Sequence, residues 1–461
     1  MPVLRSELIL GVCGLLLLAL TALALTLPQA AIGQFGIGYR EALNHFVILG
    51  CVQGLIYFAA VALILRRRIS PRAIWMILGF AGFFRLMVVV FPPFLSSDIY
   101  RYIWDGWVQA AGINPYRYIP VDPHLAFLRD ATVFPNINRA NYAHTIYPPA
   151  AQMIFFIASS IGWLLEVPPV LAMKLAMLAL EGIGIWAMTR LLDHAGLSRA
   201  RILIYAWNPV PIWEFAGSGH VDAIAICFIS LALLAVCEGK RGWGAAALAA
   251  ATLTKFLPMI LFPALWRRWD WRFASIFTAI IVMLYVPYLS VGKGVLGFLG
   301  GYSAQEGIDS GHGLFLFSVL DQVVALPAYA PKIYLLFLAL ALIALGAAMV
   351  FGRALPLARE TATKTIAQRS LLLGSVLMAG LSPHYPWYYC WLLIPACIIP
   401  WSSTLYLATA TFLLYFNQTH MKLFWPAFLY GPFMVLALWD AWVEKAVMTT
   451  MSIQFAERDK T

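Results

Sequence analysis

Residues 92–107 read Pro-Pro-Phe-Leu-Ser-Ser-Asp-Ile-Tyr-Arg-Tyr-Ile-Trp-Asp-Gly-Trp. Wound as a helix capped by Ser97, they place Asp98, Arg101, Tyr102 and Asp105 at i, i+3, i+4 and i+7, on one face. A carboxylate so placed can take a proton from a hydroxyl, and a neighbouring cation can meet an anion. An internally paired surface helix would show the same spacing. The opposite side, Tyr100, Ile103 and Trp107, suits a membrane interface, where aromatics are common without any function.

Three further clusters carry chemistry. Trp207-Asn208-Pro209 leads through Glu214 to Gly217-Ser218-Gly219-His220-Val221-Asp222. Pro209 and Pro211 interrupt a helix there, and the glycines make a turn. Glu214 lies in an apolar segment, where an ionisable group is costly and marks a candidate site. His220 and Asp222 are too few for a metal site, and Asp222 would serve equally as a helix cap. Lys255, just before Pro258, either snorkels to the surface or meets an anionic head group as a point charge. The fourth cluster is Ser382-Pro383-His384-Tyr385-Pro386-Trp387-Tyr388-Tyr389. His384 is either a satisfied interfacial histidine or a ligand contact. Together these residues offer what a sugar-phosphate site needs: aromatic faces for the ring, cations for the leaving phosphate and a carboxylate for the proton.

The elements that must position them are membrane helices. Of 461 residues, 62% are hydrophobic and 11% charged, against roughly 25% charged in soluble domains. Candidate spans are 8–27, 44–65, 73–91, 147–165, 170–190, 202–216, 220–238, 242–256, 273–290, 331–351, 370–382, 387–400, 403–417 and 426–442. Several are too short for a full crossing, and 257–265 reads as a half-helix. Leu8 to Leu27 is expected to be a retained first span, not a cleaved signal. The expectation is an all-α polytopic protein of about 12–14 spanning or half-spanning helices, reckoned at ~20 residues per crossing. It forms one domain, 1–461, with one long polar loop at 92–146. No internal repeat is visible, and the six cysteines all fall in apolar stretches, as inert core residues do.

The net charge of +10 fits positively charged cytoplasmic loops and argues against a nucleic-acid partner. Arg66 to Arg68 with Arg72, Arg199 and Arg201, Lys240 and Arg241, Arg267, Arg268 and Arg272, and Arg353 to Arg369 are placed in the cytoplasm. The 92–146 loop then faces the periplasm or cell exterior. If 147–165 and 170–190 both crossed fully, the basic 190–201 loop would fall on the wrong side. We therefore expect 147–165 to lie along the interface or to re-enter.

In order along the chain, Asp98-Ile-Tyr-Arg-Tyr with a following Asp-Gly, Gly-x-Asn-Pro-Tyr, Tyr-Pro-Pro, Trp-Asn-Pro, Gly-x-Gly-His-x-Asp, Lys-x-x-Pro and Pro-Trp-Tyr resemble the C-type (GT-C) membrane glycosyltransferases. The likeness is strongest to bacterial polyprenyl-phosphate-mannose-dependent mannosyltransferases and spans residues 90–400. It implies an inverting transfer of a hexose, mannose by preference, from a polyprenyl-phosphate donor to a glycolipid or glycan acceptor. It also implies a multi-pass plasma-membrane protein with an extracytoplasmic site and no metal or other cofactor. By the resemblance Asp98 is the general base, and Lys255, with His220 and His384, meets the donor phosphate; from its place on the Asp98 helix face Arg101 is expected beside that phosphate too. From the four clusters themselves, Tyr102, Asp105, Glu214, Asp222, His384 and Trp387 are expected to line the substrate site. Asp105 departs from the tighter acidic pair usual in such loops. The rival reading is a transporter or glycolipid flippase. It would call for pseudo-repeated halves and mid-membrane charges, whereas the polar motifs here gather at one face.

Overall fold

The computed structural model describes residues 2–27, 37–352, 355–416 and 423–458, with side chains to Glu444; Arg353 and the last residue of the 403–417 span lie outside them. The longer helices, in order, are α1 (Pro2–Ala24), α2 (Ile37–Arg66), α3 (Ala73–Val89), α4 (Asp98–Ala110), α5 (Pro149–Leu164), α6 (Pro169–His194), α7 (Asp222–Cys237), α8 (Arg241–Thr252), α9 (Trp271–Tyr285), α10 (Leu299–Gln305), α11 (Phe315–Val323), α12 (Ala330–Phe351), α13 (Arg359–Leu381), α14 (Ser402–Ala410) and α15 (Phe424–Arg458). No strand occurs among the described residues. Six helical stretches are long and apolar enough to cross a membrane, within α1, α2, α6, α9 with its continuation, α12 and α15. Shorter apolar helices are α3, α5 and α7. Their outer faces carry exposed Leu55, Leu86, Phe337 and Leu438, as walls that meet lipid do. The chain is a multi-pass all-α membrane protein.

Several expected spans are broken. Between Arg199 and Gly217 the backbone runs as a 3-10 turn, two short α-turns and a π-turn at Ile212–Gly217. Pro209 and Pro211 supply no N–H to a regular ladder. Asn208 instead accepts from the Val210 N–H at 3.0 Å. Residues 257–265 are likewise a short 3-10 turn followed by one α-turn.

The charged groups Arg85, Glu181 and Lys174 inside the bundle are engaged. Arg85 on α3 donates from Nε and Nη2 to Glu181 on α6 at 2.8 and 2.7 Å, and from Nη1 to the Ala206 carbonyl at 2.9 Å. The Tyr205 hydroxyl donates to Glu181 at 3.0 Å. One ion pair thus ties α3, α6 and the broken segment together. Lys174 on α6 donates to the Phe91 carbonyl at 2.6 Å, just beyond the end of α3.

These contacts give the bundle two distinct ends. α3, α7, α8 and α13 each have one terminus beside the polar cavity described below and the other beside a basic turn. Near the basic turns Arg359 contacts His194 at 3.2 Å, and Arg201 donates to the Ile398 carbonyl at 3.1 Å. Both ends of α5 lie on the cavity side. Its first turn takes the Leu253 carbonyl at 3.0 Å through the Ala150 N–H. Its last turn passes at once into α6, whose Lys174 is already beside Phe91. Such a path favours an interfacial or re-entrant α5, with α6 alone carrying the chain to the basic 190–201 turn.

Candidate active site

α4 opens at Asp98. Ser97 stands at the cap position but makes no capping bond; the Ser96 hydroxyl accepts from the Asp98 N–H at 3.2 Å instead. α4 crosses α5 where Gly106 lies against Phe155 and Ser159, and the Tyr102 and Phe155 rings stack at 4.6 Å. Packed this way, α4 points its first turn into a cavity of about 550 Å3. Asp98 is the one carboxylate among the cavity's lining residues, and Arg139 and Lys255 are the cations. Tyr100, Tyr102, Tyr147, Tyr302, Tyr385, Trp387 and Tyr388 form aromatic walls.

Asp98 is partly buried, and the Asn138 amide donates to its Oδ1 at 2.6 Å. Burial pushes its carboxyl above the usual range, while Asn138, Lys255 and Arg139 pull the other way. Such a carboxylate is a stronger base than an exposed aspartate.

Lys255 reaches the cavity from the end of α8. Its Nζ donates to Asp222 at 2.7 Å and sits 3.8 Å from the Tyr388 ring centroid. Lys255, Tyr302 and Tyr388 also line a second, mostly apolar cavity of about 250 Å3 beside the first. There His384 Nε2 donates to the Gly313 carbonyl at 3.0 Å, and its Nδ1 pairs with Glu306 at 3.1 Å. The Glu306 hydrogen bond raises the His384 pKa, which favours its charged form.

Of the residues expected at a site, Asp98, Tyr102, Lys255 and Trp387 line the main cavity. His384 lines its neighbour. Asp222 is buried behind Lys255, so it anchors that lysine and does not cap α7. His220 is buried beneath the floor, where its ring stacks on Trp387 at 3.7 Å. Its Nδ1 lies 3.5 Å from the Tyr102 hydroxyl and its Nε2 lies 3.4 Å from Glu214. Glu214, also buried, accepts from Tyr415 at 2.6 Å. His220 and Glu214 therefore support the wall without forming it.

Arg101 and Asp105 are not brought to the cavity. Arg101 pairs with Asp105 at 2.9 Å and donates to the Ala143 carbonyl at 3.1 Å. Asp105 accepts further from Thr145 at 2.5 Å and from Gln152 at 2.9 Å. This buried network clamps the 92–146 loop to α4 and α5. Ile103, expected at the membrane interface, is instead buried at 1% exposure, on the side where its neighbours Ile99 and Gly106 pack against the 217–219 turn and α5. His220 contacts Glu214 and Tyr102 while Asp222 contacts Lys255, and no group of three or more potential metal ligands occurs among the described residues.

Arg139, Asn138 and Glu306 were not singled out by sequence. Arg139 sits in an irregular stretch at φ 56°. Its Nε donates to Gln305 at 2.9 Å and its guanidinium lies 5.7 Å from the Tyr302 centroid. Only the neighbouring Asn-x-Asn-Arg polarity, at 136–139, signals anything there.

A family described as "Alpha-(1->6)-mannopyranosyltransferase, N-terminal domain" matches residues 8–270. The chain belongs to this mannopyranosyltransferase family. One similar protein, "Alpha-(1->6)-mannopyranosyltransferase A" of Mycobacterium tuberculosis, is 24% identical over 180 residues, 39% of this chain. That alignment spans 34% of the relative's length. No solved structure matches the chain. The part shared with the mannopyranosyltransferase family supplies Asp98, Asn138, Arg139 and Lys255; Tyr302, Tyr385, Trp387 and Tyr388 close the same cavity from beyond it.

Proposed function

We propose that this protein transfers a hexose, mannose by its family, from a polyprenyl-phosphate donor to a glycan or glycolipid hydroxyl, with inversion at the anomeric carbon. One observation carries the reading: Asp98, the carboxylate of an aromatic-walled cavity, faces the same space as Arg139 and Lys255, and that space adjoins an apolar one. The polyprenyl chain lies along the apolar cavity and the sugar enters the polar one. The acceptor oxygen attacks the anomeric carbon as the bond to the phosphate oxygen breaks, and Asp98 takes the acceptor's proton. Polyprenyl phosphate leaves as an anion, stabilised by the two cations. The site's place at the end away from the basic turns supports an extracytoplasmic location.

The test is turnover of purified polyprenyl-phosphate-mannose by the Asp98→Asn variant. General-base catalysis contributes about 100- to 10,000-fold, so the expected loss is at least that lower figure. Turnover within a few-fold of wild type removes Asp98 from the base role. Lys255→Met should weaken donor binding; unchanged donor affinity sinks its phosphate role.

A further inference from the structure

At the end of the bundle away from the cavity, two turns lie side by side. One joins α7 to α8 through Gly239 at φ 79°, and the other enters α9 through Trp269 at φ 68°. Arg241 fastens them together. It pairs with Asp270, donates to the Leu265 carbonyl at 3.0 Å and lies 5.3 Å from the Phe273 centroid. Gly242 lets α9 come close, since a Cβ there would meet Ile276 at 3.1 Å.

Between the turns is an open cavity of about 840 Å3 lined by Lys240, Arg241, Arg267, Arg268 and Arg272, with Asp270 the one carboxylate among its lining residues. Lys240 is paired with Glu238 at 2.8 Å and Arg241 with Asp270. Arg267, Arg268 and Arg272 are exposed, and none makes an ion pair among the described residues. Asp270 attracts Arg267 from further off, and Arg268 lies 5.2 Å from the Trp269 ring centroid and 5.6 Å from that of Phe351. The α8 N-terminus opens here with no side-chain cap, and Arg241 Nη1 is buried without a hydrogen-bond partner. Trp243, Trp269 and Trp271 stand exposed nearby at 75%, 62% and 61%.

Cytoplasmic orientation needs only scattered cations. It does not need three arginines without ion-pair partners gathered around one hollow that holds a single carboxylate, itself paired with Arg241, where they repel each other until an anion arrives. Tryptophans at such a level sit among lipid glycerol groups and upper acyl chains. We infer that this hollow is a binding site for the head group of an anionic phospholipid, with its phosphate held by Arg267, Arg268 and Arg272 and its glycerol region by Trp243 and Trp269. Inorganic phosphate shares the charge but would gain nothing from the exposed indoles.

The test is native mass spectrometry of the full chain in detergent, supplied with phosphatidylglycerol or phosphatidylcholine. Wild type should retain phosphatidylglycerol preferentially; equal retention of the two lipids overturns the proposal without any variant. Each cation near an anionic surface is worth about a factor of five. Arg267→Gln, Arg268→Gln and Arg272→Gln combined should therefore weaken retention roughly a hundredfold. The control is Arg66→Gln, Arg67→Gln and Arg68→Gln combined, equal in charge and at the same end, which should change it less than about threefold if the hollow and not the net charge matters. Equal loss in both variants overturns the site. So does displacement of the lipid by equimolar inorganic phosphate, which would mark a free-anion site.

Discussion

Asp98 can act as a base only while its carboxylate is ionised, and three neighbours set how readily it is. Asn138 donates to it, and Arg139 and Lys255 oppose the upward push of burial. Removing Arg139 withdraws a stabilising charge, so the Asp98 pKa rises. The acid limb of the kcat/KM profile should then move to higher pH in Arg139→Gln. In the same variant kcat/KM at neutral pH should drop about 10- to 100-fold, the worth of a charged hydrogen bond to phosphate. Asn138→Ala should move the acid limb in the same direction, with a smaller effect on donor affinity. A pH profile of either variant that overlies wild type would remove these residues from the control of Asp98. Asp98 was legible in the sequence because a helix period relates it to its neighbours. Arg139 was not, since no period operates in an irregular loop and nothing in the sequence says which way its side chain turns. The same period misplaced Arg101 and Asp105. A shared helix face is broad, and Asp98 occupies the edge at the cavity while Arg101 and Asp105 lie under the loop.

Among the elements, α3, α6 and the broken segment after Arg199 depend on one another through Arg85, Glu181 and Tyr205. Breaking a buried ion pair by removing one partner costs about 3–5 kcal/mol. Glu181→Ala should therefore lower the detergent-solubilised unfolding temperature strongly, whereas Arg85→Met with Glu181→Leu should recover much of the loss. Thermal unfolding followed by tryptophan fluorescence checks this; equal destabilisation by the single and double replacements would refute the pairing argument. At the α4–α5 crossing, a Cβ on Gly106 would run into the Phe155 carbonyl and Ser159. Gly106→Val should force the helices apart, at about 1–3 kcal/mol, and displace Asp98 with them. The existence of membrane helices was plain from apolar runs, and the breaks near Pro209 and Pro258 from the prolines. Arg85 and Glu181 stayed hidden because they are nearly a hundred residues apart and no local pattern pairs them.

For the whole molecule, the cavity and the basic turns mark opposite ends. A membrane-impermeant thiol reagent should label Thr132→Cys, in the exposed part of the 92–146 loop, in intact cells. It should label Arg268→Cys only after the membrane is opened. The six native cysteines are buried or half-buried, which keeps the background low. The reverse pattern would invert the proposed orientation. Two-endedness was legible from the arginines alone. The course of 147–165 was not, because an interfacial helix and a crossing one have the same composition.

The bond from Asn138 to Asp98 spans forty residues of chain and makes the loop part of the base. Without that bond the carboxylate would lose the partner that aims it. A carboxylate that is no longer aimed at the acceptor hydroxyl would serve water as readily. Loosening this tether should show itself as wasted donor. In Asn138→Ala, the ratio of free mannose released to mannose transferred should rise.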